Sequence, residues 1–302
     1  MAGKTSKITR HRAIFSANIY MLEKPTSLDE PSDPSNDERA PLTPFLKWPG
    51  GKRLLATQIR QFLVPTEGAY YEPFLGGGAV FFNLRHSPAF LSDTNDELIN
   101  CYVTVRDNPE ALINVLSMMH NSQESYYEVR SSLETEPIRR AARFIYLTTL
   151  SFNGIYRLNR KGKFNVPYGH KTTKPHFDSQ TIRQTSKALT NTEIQRLDFE
   201  TAVSNAKSGD TIYFDPPYTV AHGNNGFLKY NEQIFSWSDQ KRLAAVAAIL
   251  DSRGCRVVVS NAAHPSIADL YQGFHINIVK RRSLIAASSS HRKVISEYII
   301  HN

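Results

Sequence analysis

The chain has 302 residues, 40% of them hydrophobic, and a net charge of +8. This length allows one core domain with a substantial insertion, and the excess of positive charge suits a polyanionic partner such as a nucleic acid. No apolar run approaches the length that spans a bilayer, and the first residues are polar, so we expect a cytoplasmic protein without a membrane partner.

The two cysteines, Cys101 and Cys255, lie in apolar or strand-like stretches. Their separation fits neither the ligand spacing of a zinc site nor a disulfide framework. We therefore expect both thiols to be buried and inert, and the sequence predicts no metal site.

Residues 1–43 are predicted to form a disordered arm. Basic residues between positions 4 and 12 precede a polar, proline-rich and acidic stretch, a composition that cannot bury enough apolar surface to fold alone. We interpret the arm as a solvated tail; a basic segment that adds nonspecific phosphate contacts is the alternative. Globular sequence begins near Pro44.

The first motif of the globular part is a glycine turn within Phe45–Arg53. It contains Gly-Gly-Lys, but the first glycine of a phosphate-binding loop is missing, and Arg53 stands where Ser or Thr would hold magnesium. Two interpretations stay open. Trp48 belongs either to the core at the start of a helix or to a flexible, lysine-bearing turn.

Residues 69–82 predict a strand, a turn with three adjacent glycines, and a helix. Such a turn lets a ligand approach the backbone closely, although its spacing is not that of the dinucleotide fingerprint. Residues 89–93 then predict a strand ending in Asp93, where an acid can accept hydrogen bonds from ribose hydroxyls. Together, the glycine turn and Asp93 favour a nucleoside-containing cofactor. The alternatives are an ordinary turn between a strand and a helix, and capping of the next helix by Asp93 or Asn95.

Residues 107–195 carry helical signals and indicate an insertion between the second and third strands of a sheet. Pro137 is suited to begin one of these helices. The segment 151–169 interleaves arginine and lysine with asparagine and aromatic residues, and Lys161-Gly162-Lys163 is typical of a hairpin tip. This mixture can contact phosphates, read base edges and wedge apolar groups into a base stack. A solvated basic loop is the alternative.

Residues 210–214 predict a short buried strand that Pro216 and Pro217 must end, because proline cannot donate to a ladder. Asp215 therefore lies at the carboxyl end of a strand, where open α/β sheets bind ligands. The Asp215 carboxylate and the Pro216 carbonyl can accept both N–H bonds of an amino group, and Tyr218 offers a face for stacking an extruded base. A plain Asp-Pro turn with a packing tyrosine is the alternative.

The alternation of helices and strands resumes after this motif. A helix capped by Ser238-Asp239-Gln240 precedes a strand at 256–261. Two further strands, 276–280 and 294–300, are predicted to pair as a terminal hairpin. A hairpin on an otherwise parallel sheet makes the sheet mixed.

Six segments carry a family resemblance: FLKWPGGK at 45–52, YYEPFLGGGAVFF at 70–82, LSDTNDEL at 91–98, FNGIYRLN at 152–159, KFNVPYG at 163–169 and YFDPPY at 213–218. In sequence and in order they resemble the Dam family, DNA adenine-N6 methyltransferases that use S-adenosylmethionine. The resemblance implies an α/β fold with a Rossmann-like methyltransferase sheet of seven strands, the terminal one antiparallel. Residues 44–106 and 196–302 would form the catalytic domain, and 107–195 an inserted helical DNA-recognition domain.

The resemblance also implies roles for individual residues. Asp215, Pro216 and Tyr218 would be catalytic, with Asp215 bridging the cofactor and the target amine. The other cofactor contacts would be Trp48, Lys52, Phe74, Gly76, Gly78 and, at the ribose, Asp93. DNA would be contacted by Lys47, Phe152, Asn153, Ile155, Arg157 and Pro167. Phe152 replaces the tyrosine found in part of the family and cannot donate a hydroxyl hydrogen bond.

The implied reaction transfers a methyl group to N6 of an adenine rotated out of duplex DNA, with no metal and no covalent enzyme intermediate. GATC is the expected site, because the 152–159 and 163–169 segments match the GATC enzymes. Several alternatives stay open: a longer site with a GAT core, N4-cytosine or RNA-base methylation, and a catalytically silent DNA-binding homologue. Duplex DNA is the expected partner, and an enzyme that acts alone and one that acts beside a companion restriction endonuclease are both open alternatives.

Overall fold

Eight strands form one sheet in the computed structural model, which describes residues 19–21, 41–63, 67–159, 161–171, 177–219, 235–282 and 294–302. The strands are β1 Ile19–Met21, β2 Tyr70–Glu72, β3 Ala89–Asp93, β4 Thr192–Arg196, β5 Thr211–Phe214, β6 Arg256–Ala262, β7 His275–Arg282 and β8 Val294–His301. They lie in the order β1-β7-β8-β6-β5-β2-β3-β4. All neighbouring pairs are parallel except those of β8, which is antiparallel to both β6 and β7. Strands β2 to β8 confirm the predicted seven-stranded sheet with an antiparallel terminal strand.

The edge strand β1 was not predicted. Ile19–Met21 pairs in parallel with Ile276–Ile278 of β7, so the predicted disordered arm contains a strand; its other described residues, 41–43, are in neither a helix nor a strand. Residues 1–18 and 22–40 lie outside the described residues. Three residues give too short a pattern to indicate a strand, and the partner that pairs with them is more than half the chain away.

The helices alternate with the strands and fill the insertion. They are α1 Ala56–Arg60, α2 Ala79–Leu84, α3 Asp96–Asp107, α4 Pro109–Ser117, α5 Gln123–Ser131, α6 Pro137–Leu150, α7 Ser179–Leu189, α8 Phe199–Ala202, α9 Trp237–Ser252 and α10 Pro265–Ala268. A short 3-10 turn spans Phe152–Gly154. None of the helices in the described ranges is long and apolar enough to cross a membrane.

The helix starts show which local signals were informative. Helix α6 begins at Pro137, as predicted. Helix α9 is capped by Ser236 and not by Ser238, so that prediction was wrong. The reason is a capping box: the Ser236 hydroxyl accepts from the backbone N–H of Asp239, whose carboxylate accepts from the N–H of Ser236.

Buried side chains pack on both faces of the sheet. One cluster contains Tyr213 and Val258, and the other contains Phe214 and Val259. Successive residues of a strand point to opposite faces, so these two clusters lie on opposite sides of the same strands. Both cysteines are buried and free, as predicted. Burial raises the pKa of the Cys101 thiol well above its ordinary value, which keeps it protonated and unreactive.

The helical insertion between β3 and β4 has a small core of its own. Its members are Tyr126, Tyr146, Leu147, Leu150, Phe164, Val166 and Tyr168. Strand β4 begins at Thr192 and pairs with β3, so the predicted domain boundary at residue 195 falls inside a strand of the sheet. Only Ile194 of β4 is buried, and such a polar strand gives a weak pattern.

Candidate active site

The carboxyl ends of the parallel strands bring distant residues together. Strands β3, β2 and β5 are neighbours and run in the same direction. Phe74 follows β2, Asp93 ends β3 and Asp215 follows β5. These three predicted site residues therefore reach the same edge of the sheet.

The glycine turn after β2 is packed tightly by the protein itself. Gly76 has a φ of 46°, and a Cβ added there would lie 2.8 Å from Cδ1 of Trp48. The Tyr102 hydroxyl donates to the Gly76 carbonyl at 3.1 Å, and Gly78 immediately precedes α2. The turn thus needs glycine for the approach of Trp48, a requirement that the sequence alone did not reveal.

Asp93 ties this turn to β3. Its Oδ2 accepts from the Gly76 N–H at 3.1 Å, and its Oδ1 accepts from the Asn95 N–H at 3.0 Å. Burial raises the pKa of Asp93, and these backbone hydrogen bonds oppose the rise. The cap of α3 is Asn95, whose side chain accepts from the Leu98 N–H. Asp93 is therefore not the helix cap.

Phe74 belongs to an aromatic group that extends to the end of β4. Its ring lies 5.4 Å from that of Phe199 and 5.5 Å from that of Phe235. Asp198 precedes Phe199 and receives two hydrogen bonds from the Arg242 guanidinium. Neither Asp198 nor Phe199 was singled out from the sequence. The available signal was an acid followed by an aromatic residue just beyond a strand.

Asp215 is held by a lysine from the first glycine turn. The Lys52 ammonium lies 2.6 Å from Oδ1 and 2.9 Å from Oδ2 of Asp215, and it also donates to the Gly50 carbonyl at 3.2 Å. The Lys52 side chain is 4% exposed and that of Asp215 is 19% exposed. The structure therefore joins two predicted site residues directly, with the carboxylate as the more accessible partner.

Tyr218 is fixed by a carboxylate on the last strand. Its hydroxyl donates to Oε2 of Glu297 at 2.7 Å, and the Lys52 ammonium lies 4.8 Å from the centre of its ring. Burial, followed by the charge of Glu297, holds the pKa of Tyr218 well above its ordinary value. The hydroxyl is therefore a stable donor. Glu297 was missed in the sequence, where its signal was one charge inside an otherwise apolar strand.

A second buried network of hydrogen bonds holds the turn that follows Asp215. Gln240 of α9 donates to the Pro217 carbonyl at 3.3 Å and to the Thr219 hydroxyl at 3.1 Å. Asn261 of β6 donates in turn to Gln240 at 2.9 Å. Both amides are fully buried. They fix one carbonyl of the turn, while no described residue donates to the carbonyl of Pro216.

Glu72 is a buried carboxyl close to Asp215. It accepts from the Tyr70 hydroxyl at 2.7 Å. Burial raises the pKa of Glu72 to about 8, and the charge of Asp215 adds to this, while the hydrogen bond from Tyr70 opposes it. The part of the chain that the structure describes contains no group of three or more His, Cys, Asp or Glu side chains able to hold a metal ion.

The predicted DNA-contacting residues lie in the insertion, except Lys47, which contacts it at Gly154; we call this set the recognition surface. Its members are Lys47, Phe152, Asn153, Ile155, Arg157 and Pro167. Lys47 packs on Gly154, where an added Cβ would lie 2.6 Å from its Cδ. The Phe152 N–H donates to the Pro167 carbonyl at 2.9 Å, and Arg157 donates to Asn165 at 2.9 Å. All but Ile155 are exposed.

Trp48 lies between the glycine turn and the insertion. Its ring stacks on Tyr156 at 5.3 Å and on Phe144 at 6.0 Å. The predicted cofactor residue is thus also a packing residue between the sheet and the insertion. Of the two interpretations that the sequence left open for Trp48, these contacts support core packing.

Comparison with known proteins gives the family. Residues 48–285 match the model of the D12 class N6 adenine-specific DNA methyltransferases. The chain is 42% identical over 272 residues to a type II methyltransferase, M1.LlaDCHI, of Lactococcus lactis subsp. cremoris, covering 86% of this chain and 95% of that one. It is 36% identical to the type II methyltransferase M.MjaIII of Methanocaldococcus jannaschii, covering 86% of this chain and 98% of that one.

A third relative carries a different name. The chain is 31% identical to the DNA adenine methylase of Salmonella typhi over 84% of this chain and 93% of that one. The protein therefore belongs to the D12 class of N6 adenine-specific DNA methyltransferases. It is an enzyme that methylates adenine in DNA, and the resemblance to the Dam family is confirmed.

Proposed function

We propose that the enzyme uses S-adenosylmethionine to methylate N6 of an adenine that is extruded from duplex DNA at GATC sites. The observation that carries the proposal is the arrangement at the end of β5. There a partly accessible carboxylate, a carbonyl that receives no hydrogen bond from the described residues, and an aromatic ring follow one another in Asp215, Pro216 and Tyr218.

The residues at the strand ends fit the proposed methyl donor. The two hydrogen bonds that Asp93 accepts use about half of the acceptor sites of a carboxylate, which leaves capacity for ribose hydroxyls. Phe74 offers a half-buried aromatic ring. The turn at Gly76 and Gly78 would lie along the donor, with Trp48 and Lys52 as further contacts. When bound, S-adenosylmethionine supplies a methyl group already activated on a sulfonium.

The pocket for the amine follows from the hydrogen-bond inventory. The N6 amine of adenine has two N–H bonds and a lone pair delocalised into the ring. Acceptors on both N–H bonds, the Asp215 carboxylate and the Pro216 carbonyl, would localise that lone pair. The Lys52 ammonium, 2.6 Å from Oδ1 and 2.9 Å from Oδ2, holds the Asp215 carboxylate in place. The Asp215 carboxylate can then receive the proton that N6 loses as it gains the methyl group.

Tyr218 would hold the base during this step. Extrusion from the duplex costs a few kcal/mol of stacking and pairing, and stacking on an aromatic side chain offsets part of it. The recognition surface would select the site, with Lys47, Asn153 and Arg157 at base edges and Phe152 against the opened stack. Ile155 and Pro167 would supply apolar contacts.

The first experiment replaces the carboxylate. We expect Asp215→Asn to lower methyl transfer by a factor of about 100 or more, because the negative charge on the acceptor and the proton-receiving group are lost together. DNA affinity should stay within about threefold, since the recognition surface is untouched. Asp269→Asn, a matched change at an exposed position, serves as the control. Retained turnover in Asp215→Asn contradicts the assignment.

The second experiment addresses substrate and donor. Purified enzyme with labelled S-adenosylmethionine should label plasmid DNA, and nucleoside mass analysis should find N6-methyladenine. Digestion with nucleases sensitive to adenine methylation then identifies the site. N4-methylcytosine would contradict the base assignment, and unmodified GATC sites beside another protected sequence would contradict the site assignment alone.

A further inference from the structure

The sheet buries a carboxylate that the proposed reaction does not use. Glu297 lies in β8, and its side chain is 0% exposed. Its main chain pairs with Ala262 of β6 and with Val279 of β7, so strands on both sides fix its position. A buried carboxylate is costly unless it has partners. The identity of those partners therefore indicates why it is there.

The partners that Glu297 contacts belong to the candidate active site. The Tyr218 hydroxyl donates to its Oε2 at 2.7 Å. The Lys52 ammonium lies 3.8 Å from the same oxygen and 2.6 Å from Asp215. One oxygen atom thus contacts the ring that would stack the base and the cation that holds the acceptor.

We infer that Glu297 is a positioning residue for methyl transfer, which rests on the proposed function. It fixes the plane of the Tyr218 ring through the hydroxyl, and it holds Lys52 against Asp215. The stacking face and the acceptor are then set relative to each other before the base arrives. Burial raises the pKa of Tyr218 well above its ordinary value, so the hydroxyl stays protonated and remains a donor.

The geometry explains why a tyrosine is needed. Stacking alone requires only the ring, which phenylalanine also supplies. A ring without a hydroxyl is free to turn about its side-chain bonds, whereas the bond to Glu297 removes that freedom. Preorganisation of this kind acts on the rate of the chemical step, since a displacement of about 1 Å from the reactive geometry can lower a rate a hundredfold.

The test uses two single variants and their combination in the full-length enzyme. Tyr218→Phe deletes only the hydroxyl, and Glu297→Gln removes the charge but keeps an acceptor of the same size. We expect each to lower kcat roughly tenfold, with KM for DNA changed by less than about twofold. The loss in the double variant should be smaller than the product of the two single losses, because both changes break the contact between Tyr218 and Glu297.

A spectroscopic signal separates positioning from a purely structural role. With 2-aminopurine in place of the target adenine, stacking on a held ring quenches the extruded base. Both variants should therefore give brighter complexes than the unmodified enzyme. Tyr271→Phe and Glu193→Gln are matched controls, because Tyr271 is buried away from these residues in a separate cluster and Glu193 is exposed on β4. Neither should change kcat or fluorescence.

The inference and the proposed function fail in different ways. Absence of adenine methylation by the unmodified enzyme would contradict the proposed function. An active enzyme whose Tyr218→Phe variant keeps kcat and the quenched signal would overturn the role of Glu297. Tyr218→Phe therefore tests the role of Glu297 even if Glu297→Gln does not fold. Additive losses in the double variant would also overturn it, because independent effects do not pass through one contact.

Discussion

Lys52 is the residue on which the charges of the site converge. It lies 2.6 Å from Asp215 and 3.8 Å from Glu297, and its side chain is 4% exposed. One cation between two carboxylates leaves the group with one negative charge. Such a group can accept hydrogen bonds from an amine without burying two unpaired charges. The cluster explains why a lysine of the first glycine turn and a glutamate of the last strand meet.

Glu72 gives a pH dependence whose sign can be worked out. Burial raises its pKa from 4.5 to about 8, so between these values the folded protein holds a proton that the unfolded chain has released. The contribution of Glu72 to the free energy of unfolding is fully present below pH 4.5 and is lost as pH rises through about 8. Glu72→Gln should therefore remove part of the decline in stability between pH 5 and 8, roughly the interval between the two pKa values.

Urea unfolding at several pH values tests this expectation. The quantity to compare is the difference in unfolding free energy between the unmodified enzyme and Glu72→Gln as a function of pH. The difference should move in favour of the variant as pH rises and level off above about pH 8. Glu193→Gln, an exposed change in a neighbouring part of the sheet, should give a flat difference. A flat difference for Glu72→Gln as well would mean that its pKa is not raised.

The 3-10 turn Phe152–Gly154 is an element on which the recognition surface depends. Gly154 has a φ of 67°, and an added Cβ would lie 2.6 Å from Cδ of Lys47. Gly154→Ala should cost about 1–2 kcal/mol of stability because of the left-handed backbone. It should also displace Lys47 and reduce the preference for GATC over single-base variants of that site.

The measurement compares methylation of matched oligonucleotides that differ at one base pair. Gly162→Ala is the matched control, since Gly162 also has a positive φ, of 70°, but open space where the Cβ would lie. It should show a stability loss without the change in site preference. Equal site preference in Gly154→Ala and the unmodified enzyme would separate Lys47 from recognition.

Elements with strong local signals were predictable from the sequence. An apolar run predicted strand β5, and a proline at a helix start predicted helix α6. The position of Asp215 at a strand end followed because the prolines after it must end the strand. Contacts between distant elements were not predictable. No local pattern of β8 indicates that Glu297 reaches Tyr218, and none in the arm indicates that Ile19–Met21 pairs with β7. Such contacts depend on strand order.

At the scale of the whole molecule, Trp48 connects the sheet with the insertion. It packs on the glycine turn through Gly76 and stacks on Tyr156 and Phe144 of the insertion. The insertion nevertheless has its own core, around Tyr126 and Tyr168. Other helices of the insertion pack into the same core as the sheet, through residues such as Leu112 and Ile182, so the two parts share a core beyond the contacts of Trp48.

The net charge of +8 leads us to expect that affinity for DNA falls as salt concentration rises. The hairpin tip at Lys161-Gly162-Lys163 is a suitable place to test this. Each phosphate contact releases counterions, so the logarithm of the binding constant falls with the logarithm of salt concentration by about 0.9 per contact. Lys161 is exposed at the tip. Lys161→Ala should reduce that slope by about one and weaken GATC and unrelated DNA equally.

A base-contacting residue should behave in the opposite way. Asn153→Ala should leave the salt slope unchanged and lower the affinity for GATC relative to unrelated DNA, because base edges carry the sequence information and phosphates do not. Lys187→Ala, an exposed change on α7, controls for the loss of one charge at a distance from the recognition surface. If Lys161→Ala keeps the slope of the unmodified enzyme, the hairpin tip does not contact the phosphates. If both lysine variants lower the slope equally, the dependence arises from overall charge and not from a contact at the tip.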